Sequence, residues 1–163
     1  MTLCTANRTR IFGSLVQGQV QLTPAGRVAA QCWRAIPRYH PYVGLDAFVI
    51  MPDHVHGILW IVEQGTARNG TSSPRGVGFR GGVADPPTEG PGRETPRSPA
   101  RELGSIVRGF KIGVTQWVRA HTSIRLVWQR NYHEHVIRDD RDLRRIRQYI
   151  ETNPSRWAFR HEE

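Results

Sequence analysis

Val43-Gly44-Leu45-Asp46-Ala47-Phe48-Val49-Ile50-Met51-Pro52-Asp53-His54-Val55-His56-Gly57-Ile58-Leu59-Trp60-Ile61-Val62 holds two apolar runs, Val43 to Ile50 and His54 to Val62, joined by Met51-Pro52-Asp53. A proline and an aspartate between two such runs predict a β-hairpin. Nearly unbroken apolarity in the second arm predicts a strand covered on both faces. Side chains alternate along a strand, so His54 and His56 share one face and Val55 takes the other. Two imidazoles on one face make half of a divalent-metal site. Histidines also fall close together without any such role, so the pair alone does not decide.

Outward from the hairpin, strand-like residues precede it at Thr2 to Thr5, Arg10 to Phe12 and Gln19 to Leu22. Met1 abuts the first of these, which is therefore expected to be a shortened strand. Thr23-Pro24 predicts a helix start, with threonine as N-cap and proline at the first helical position. Val28, Cys32 and Ile36 repeat at helical spacing, and Pro37 is expected to end that helix.

After the hairpin, residues 64–100 hold about half of the 16 glycines and more than half of the 11 prolines, without periodicity. They read as a flexible insertion. From Arg101, Leu103, Ile106, Val107, Phe110, Val114, Trp117 and Val118 keep helical spacing to His121. The opposite face of that helix carries Arg108, Lys111, Thr115 and Arg119, either a solvated face or one that tracks phosphates. Gly109 and Gly113 suggest close approach of another backbone. Asn131 to Arg138 predicts a last strand. Asp139-Asp140 predicts the N-terminus of a final helix, where carboxylates suit the dipole, with Leu143, Ile146 and Ile150 on its packed face. Asn153 precedes Pro154, which disfavours helical angles, so the last turn is expected to fray.

The expected order is β-α-β-β-α-β plus a C-terminal helix. This is an α+β class fold, a ferredoxin-like, split β-α-β antiparallel sheet with helices on one face. Its 163 residues are expected to form one domain.

The formal charge is +9 and the sequence pI about 10.9. Lys111 is the sole lysine, so the excess is arginine, which pairs bidentately with phosphate and stacks on bases. That favours a nucleic-acid partner over a merely basic surface. Cys4 and Cys32 are too few for a disulfide framework or a cysteine zinc site. No stretch approaches a membrane span or a signal peptide, and a soluble, reducing, cytoplasmic setting is expected.

Four segments carry a family resemblance: Phe48 to His56, Ile106 to Lys111, Trp128 to Arg138, and Tyr149-Ile150 with Asn153-Pro154. With them the chain resembles the single-tyrosine HUH transposases, above all the REP-associated tyrosine transposases linked to short palindromic repeats in bacterial genomes. The resemblance implies a transposase that cleaves single-stranded DNA near a hairpin, joins its tyrosine to the 5′ phosphate and frees a 3′ hydroxyl. It further implies that Tyr149 is the nucleophile and that His54, His56 and Asn153 hold a magnesium or manganese ion. Residues 149 and 153 would share a face of a continuous helix. Arg108, Lys111, Thr115, Arg119, Arg130 and Arg145 are then candidate DNA contacts. Homodimers occur in the family, and nucleoid association follows from DNA binding.

Other patterns compete. His133-Glu134-His135 is a second alternate pair, with strand packing or a phosphate contact as its other uses. Tyr149 also fits a half-buried packing residue beside an apolar stripe. A non-catalytic nucleic-acid-binding module with an RNA-recognition-like sheet remains the alternative to an enzyme.

Overall fold

The computed structural model describes residues 1–62 and 99–158; most of the Gly/Pro-rich insertion expected at 64–100 lies outside them. The elements are β1 (Thr2–Cys4), β2 (Gly13–Val16), β3 (Gln19–Leu22), α1 (Pro24–Arg34), α2 (Ile36–Tyr39), β4 (Val43–Met51), β5 (His54–Ile61), α3 (Pro99–His121) and α4 (Asp140–Ala158). A mixed α+β architecture results, with an antiparallel sheet in the order β1-β5-β4.

β4 and β5 form the expected hairpin, and β5, pairing on both edges, is the central strand. Its alternation divides the interior. Val55 belongs to the larger core with Trp33, Ile50, Phe110 and Val114 from β4, α1 and α3. Ile58 belongs to a smaller one with Leu143 and Ile150 of α4. The sheet is therefore covered on both faces, as apolarity on both sides of β5 requires.

Thr23 caps α1, its hydroxyl accepting from the Gly26 amide at 3.1 Å. The deepest stripe of α1 is Ala25, Ala29 and Trp33, with Val28 and Cys32 only half-buried. Small residues let α1 lie close to its neighbours, a preference that spacing of large apolar residues does not reveal. α1 ends at Arg34, ahead of Pro37, which sits in the first turn of a separate short helix, α2, where its missing N–H costs nothing. In α3, Gly113 faces the Cys32 sulfur of α1, whereas nothing among the described residues approaches Gly109.

The strand expected around Arg10 begins instead at Gly13. β2 and β3 form a separate hairpin through Gln17 (φ 51°) and Gly18 (φ 72°), the left-handed pair of a tight two-residue turn. Of the strand expected at Asn131 to Arg138, one bridge remains among the described residues, Thr2 with His133; a second, Thr5 with Trp128, precedes it. Three steps along β1 oppose five along its partner, so regular pairing is lost between Gln129 and His133. Lys111 braces this irregularity, donating to the carbonyls of Gln129 at 2.9 Å and Asn131 at 3.4 Å.

The register of β4 against β5 also shifts between Leu45 and Phe48. This bulge aims Asp46 at α4, where its carboxylate accepts two bonds from Arg147 (2.9 and 2.6 Å) and one from the Trp60 indole at 2.9 Å. Bulges commonly redirect a side chain in this way. Hydrogen bonding from Arg147 holds the Asp46 carboxyl at about 2, against burial and below its ordinary 3.8. A depressed carboxyl stabilises the fold above its unfolded value and loses that contribution as the pH falls through the folded one. Asp46→Asn is expected to lower Tm by a few degrees near neutrality. The gap from wild type should close between about pH 4 and pH 2; a gap constant with pH in parallel thermal melts would contradict this.

Candidate functional site

β1, β5 and α4 meet at one end of the sheet. His54 and His56 share a face of β5, their ring centroids 4.6 Å apart and nearly perpendicular. Both are buried, at 4% and 9% exposure. The His56 ring also meets Tyr149 of α4 edge-on, with centroids 5.2 Å apart. Residues nearly a hundred positions apart thus touch because α4 packs across the hairpin.

Each imidazole is held through Nδ1. Thr2 lies directly opposite His56 in the β1–β5 register, and its hydroxyl is 2.8 Å from His56 Nδ1. His54 Nδ1 is 2.6 Å from Asp53 Oδ1, and Asp53 Oδ2 pairs with Arg8 Nε at 2.9 Å. Burial raises the Asp53 carboxyl, but the hydrogen bond from His54 and the charges of His54 and Arg8 leave it below its ordinary value. His56 is lowered to about 3, chiefly by burial and further by the charges of His54, the N-terminus and Arg8. It is a neutral imidazole at neutral pH, as a metal ligand must be.

α4 runs unbroken through Pro154 to Ala158, so the expected fraying does not occur. Buried Ile150 and Asn153 dock this end of the helix, and that docking offsets the backbone bond proline removes. Asn153 therefore follows Tyr149 by one helical turn. It is 6% exposed, and its amide makes no hydrogen bond among the described residues. Tyr149 is 43% exposed, and its hydroxyl likewise has no hydrogen-bond partner among them.

No three His, Cys, Asp or Glu side chains cluster as a metal site among the described residues. An ion at His54 and His56 thus requires a ligand of another type. Asn153 is the buried amide on the tyrosine's helix, and two imidazoles with one amide oxygen form a coherent donor set for a divalent ion.

A cavity of about 560 Å³ adjoins these residues, lined by Thr2, His56, Ile58, Arg145, Ile146 and Tyr149 among others. His133, Glu134 and His135 line it too. His135 Nε2 is engaged by Asp142 at 2.6 Å, and Arg145 shares that carboxylate at 2.6 Å. Arg145 is therefore separated from the other expected DNA contacts. Arg108, Lys111, Thr115, Arg119 and Arg130 come together along a second groove of about 540 Å³. Within it, Lys111 is committed to backbone carbonyls and Arg119 Nε to the Arg125 carbonyl at 3.0 Å. Arg108 and Arg130 are the cations there for which no such bond is found among the described residues.

Sequence inspection overlooked Thr2, Arg8, Asp46 and Asp53. Only Asp53 had a visible signal, a carboxylate directly before a candidate ligand histidine.

No family model matches the chain. An uncharacterized protein of Haemophilus influenzae is 39% identical over 158 residues, covering 96% of this chain and 79% of the relative. A solved structure of a REP-associated tyrosine transposase bound to a REP hairpin matches with a TM-score of 0.57 at 17% identity, over 97% of this chain. The chain spans 66% of that structure's length. No helix among the described residues is long and apolar enough to cross a membrane. The chain belongs to the family of the Haemophilus influenzae protein, and its fold is similar to that of a REP-associated tyrosine transposase.

Proposed function

We propose that this protein is a tyrosine transposase of the REP-associated type, a metal-dependent endonuclease and strand transferase for hairpin-bearing single-stranded DNA. The observation that carries the proposal is the contact of His56 with both His54 and Tyr149. A binding module needs no such constellation. The sheet, with the 127–133 segment beside β1, is then a ferredoxin-like split β-α-β whose C-terminal helix bears the nucleophile.

The Tyr149 oxygen attacks the scissile phosphorus; the bond to the 3′ oxygen breaks as the phosphotyrosine bond forms. The phenol proton leaves to water at the exposed hydroxyl, and the departing 3′ oxygen gains one. The phosphoester is conserved, so a 3′ hydroxyl can reverse the step without ATP. His54, His56 and Asn153 would hold a magnesium or manganese ion, which would supply Lewis-acid stabilisation of charge on the phosphate. Thr2 and Asp53 orient the imidazoles, and Arg147 with Asp46 anchors α4. Arg108 and Arg130 are proposed phosphate contacts, together with Lys111, Thr115 and Arg119; Arg145 is proposed beside Tyr149.

The test mixes purified protein with 3′-end-labelled hairpin oligonucleotides in either metal. A labelled protein band on a denaturing gel is the expected result. Manganese should support at least as much adduct as magnesium, because magnesium prefers oxygen ligands and two of three donors here are nitrogen. Adduct in magnesium but none in manganese would refute the ligand set. Binding of the same oligonucleotides without adduct would establish the non-catalytic module instead.

A further inference from the structure

We infer that Asp53 is a positioning residue that fixes which nitrogen of His54 carries the proton, leaving the Nε2 lone pair free, with Arg8 engaging its second carboxylate oxygen. The inference rests on the proposed metal site for its purpose, but the hydrogen-bond geometry carries it.

Asp53 is buried, and each of its carboxylate oxygens has a separate claimant. Oδ1 faces His54 Nδ1 at 2.6 Å, and Oδ2 faces Arg8 Nε at 2.9 Å. An ionised carboxylate only accepts, so the Nδ1 beside it must donate. The Asp53 backbone is fixed as well, its carbonyl accepting from the Thr5 amide at 2.9 Å. Thr2 exerts no comparable selection on His56, because a hydroxyl can donate or accept.

Arg8 is placed by an unusual backbone. Asn7 and Arg8 both lie in the left-handed region, at φ 51° and 55°, which arginine seldom adopts. The turn is held by the Thr5 hydroxyl donating to the Thr9 carbonyl at 2.8 Å and the Thr9 hydroxyl donating to that of Ala6 at 2.9 Å. It also sets an Arg8 Nη1 against the Cys4 sulfur at 3.0 Å, and Cys4 is the residue opposite His54 in the sheet.

This arrangement gives Arg8 a specific consequence. In Asp53→Asn, the Arg8 guanidinium attracts the amide oxygen rather than the amide NH₂, so the oxygen turns toward Arg8. The amide NH₂ then faces His54 Nδ1, which must accept. The His54 proton moves to Nε2, the nitrogen a metal would use. Removing Arg8 as well frees the amide to reverse and restores the original arrangement. A merely structural Asp53 would not be rescued by losing a second partner.

The experiment records long-range ¹H–¹⁵N spectra of full-length, ¹⁵N-histidine-labelled protein at about pH 8.5, above the range where imidazoles ordinarily titrate. His54→Gln assigns the signals. Wild type and Arg8→Ala should show the proton on His54 Nδ1, Asp53→Asn on Nε2, and Arg8→Ala/Asp53→Asn on Nδ1 again. A wild-type proton on Nε2 overturns the inference and needs no substitution, so an unfolded variant cannot shelter it. An Asp53→Asn protein that keeps the wild-type tautomer, or a double variant that fails to restore it, also overturns it. Manganese(II) titrated into the same samples should bind about 10- to 100-fold more weakly to Asp53→Asn and recover in the double variant. Tautomers that move as stated without manganese binding in any sample would uphold this pair and refute the metal site.

Discussion

Tyr149→Phe is expected to abolish the covalent adduct, a loss of more than about a thousandfold, while DNA affinity and thermal stability stay near wild type. The geometry makes this a clean substitution. The hydroxyl has no hydrogen-bond partner among the described residues, so removing it strands no buried group. Phenylalanine keeps the ring that meets His56 edge-on. Any change in folding stability should be within about 0.5 kcal/mol, as for other surface substitutions without a special role. Adduct formation, native-gel binding and thermal melting on one preparation separate the possibilities. Undiminished adduct would move the nucleophile elsewhere. Loss of adduct together with folding would make Tyr149 a packing residue.

The second large effect is structural and lies on the opposite face of the same strand. A methyl group at Gly57 would stand well inside van der Waals contact with the Trp33 indole. Trp33 cannot yield, being buried, stacked on Phe48 at 5.8 Å and edge-on to Phe110 at 5.7 Å. Its Nε1 is a buried N–H without a partner among the described residues, so rigid packing rather than hydrogen bonding locates this ring. Gly57→Ala is expected to cost about 3 kcal/mol, the upper end of ordinary overpacking. Urea unfolding would measure it. Trp33→Leu should relieve most of that cost, so the double variant should be markedly more stable than additivity allows. Wild-type stability in Gly57→Ala would refute this account. Because His56 precedes Gly57, backbone displacement here should also reduce adduct formation in whatever protein remains folded.

The β4–β5 hairpin, the Thr23 cap, α3 and the start of α4 were legible because each depends on nearby residues. Alternation alone placed His54 and His56 on one face, and unbroken apolarity announced that β5 is covered twice. Local rules failed where packing opposed them. Pro154 stays helical because α4 is docked through Ile150 and Asn153, and the strand expected at Asn131 to Arg138 is lost because three-residue β1 pairs irregularly with the 127–133 segment.

The candidate site divides in the same way. His54, His56, Tyr149 and Asn153 were visible as residue types with suggestive spacing, the last two through a family resemblance. Their environment was not. Only the sheet register sets Thr2 opposite His56, only a bulge turns Asp46 toward Arg147, and only a left-handed turn brings Arg8 to Asp53. By itself the sequence determined most of the strands and helices and which side chains share a face within them, since those follow from local sterics and the burial of apolar surface. The tertiary structure alone decided which faces meet, and with that the hydrogen-bond partners of the imidazoles, the depressed carboxyls and the contact of Tyr149 with His56, because hydrogen bonding and desolvation act between residues that the chain order keeps far apart.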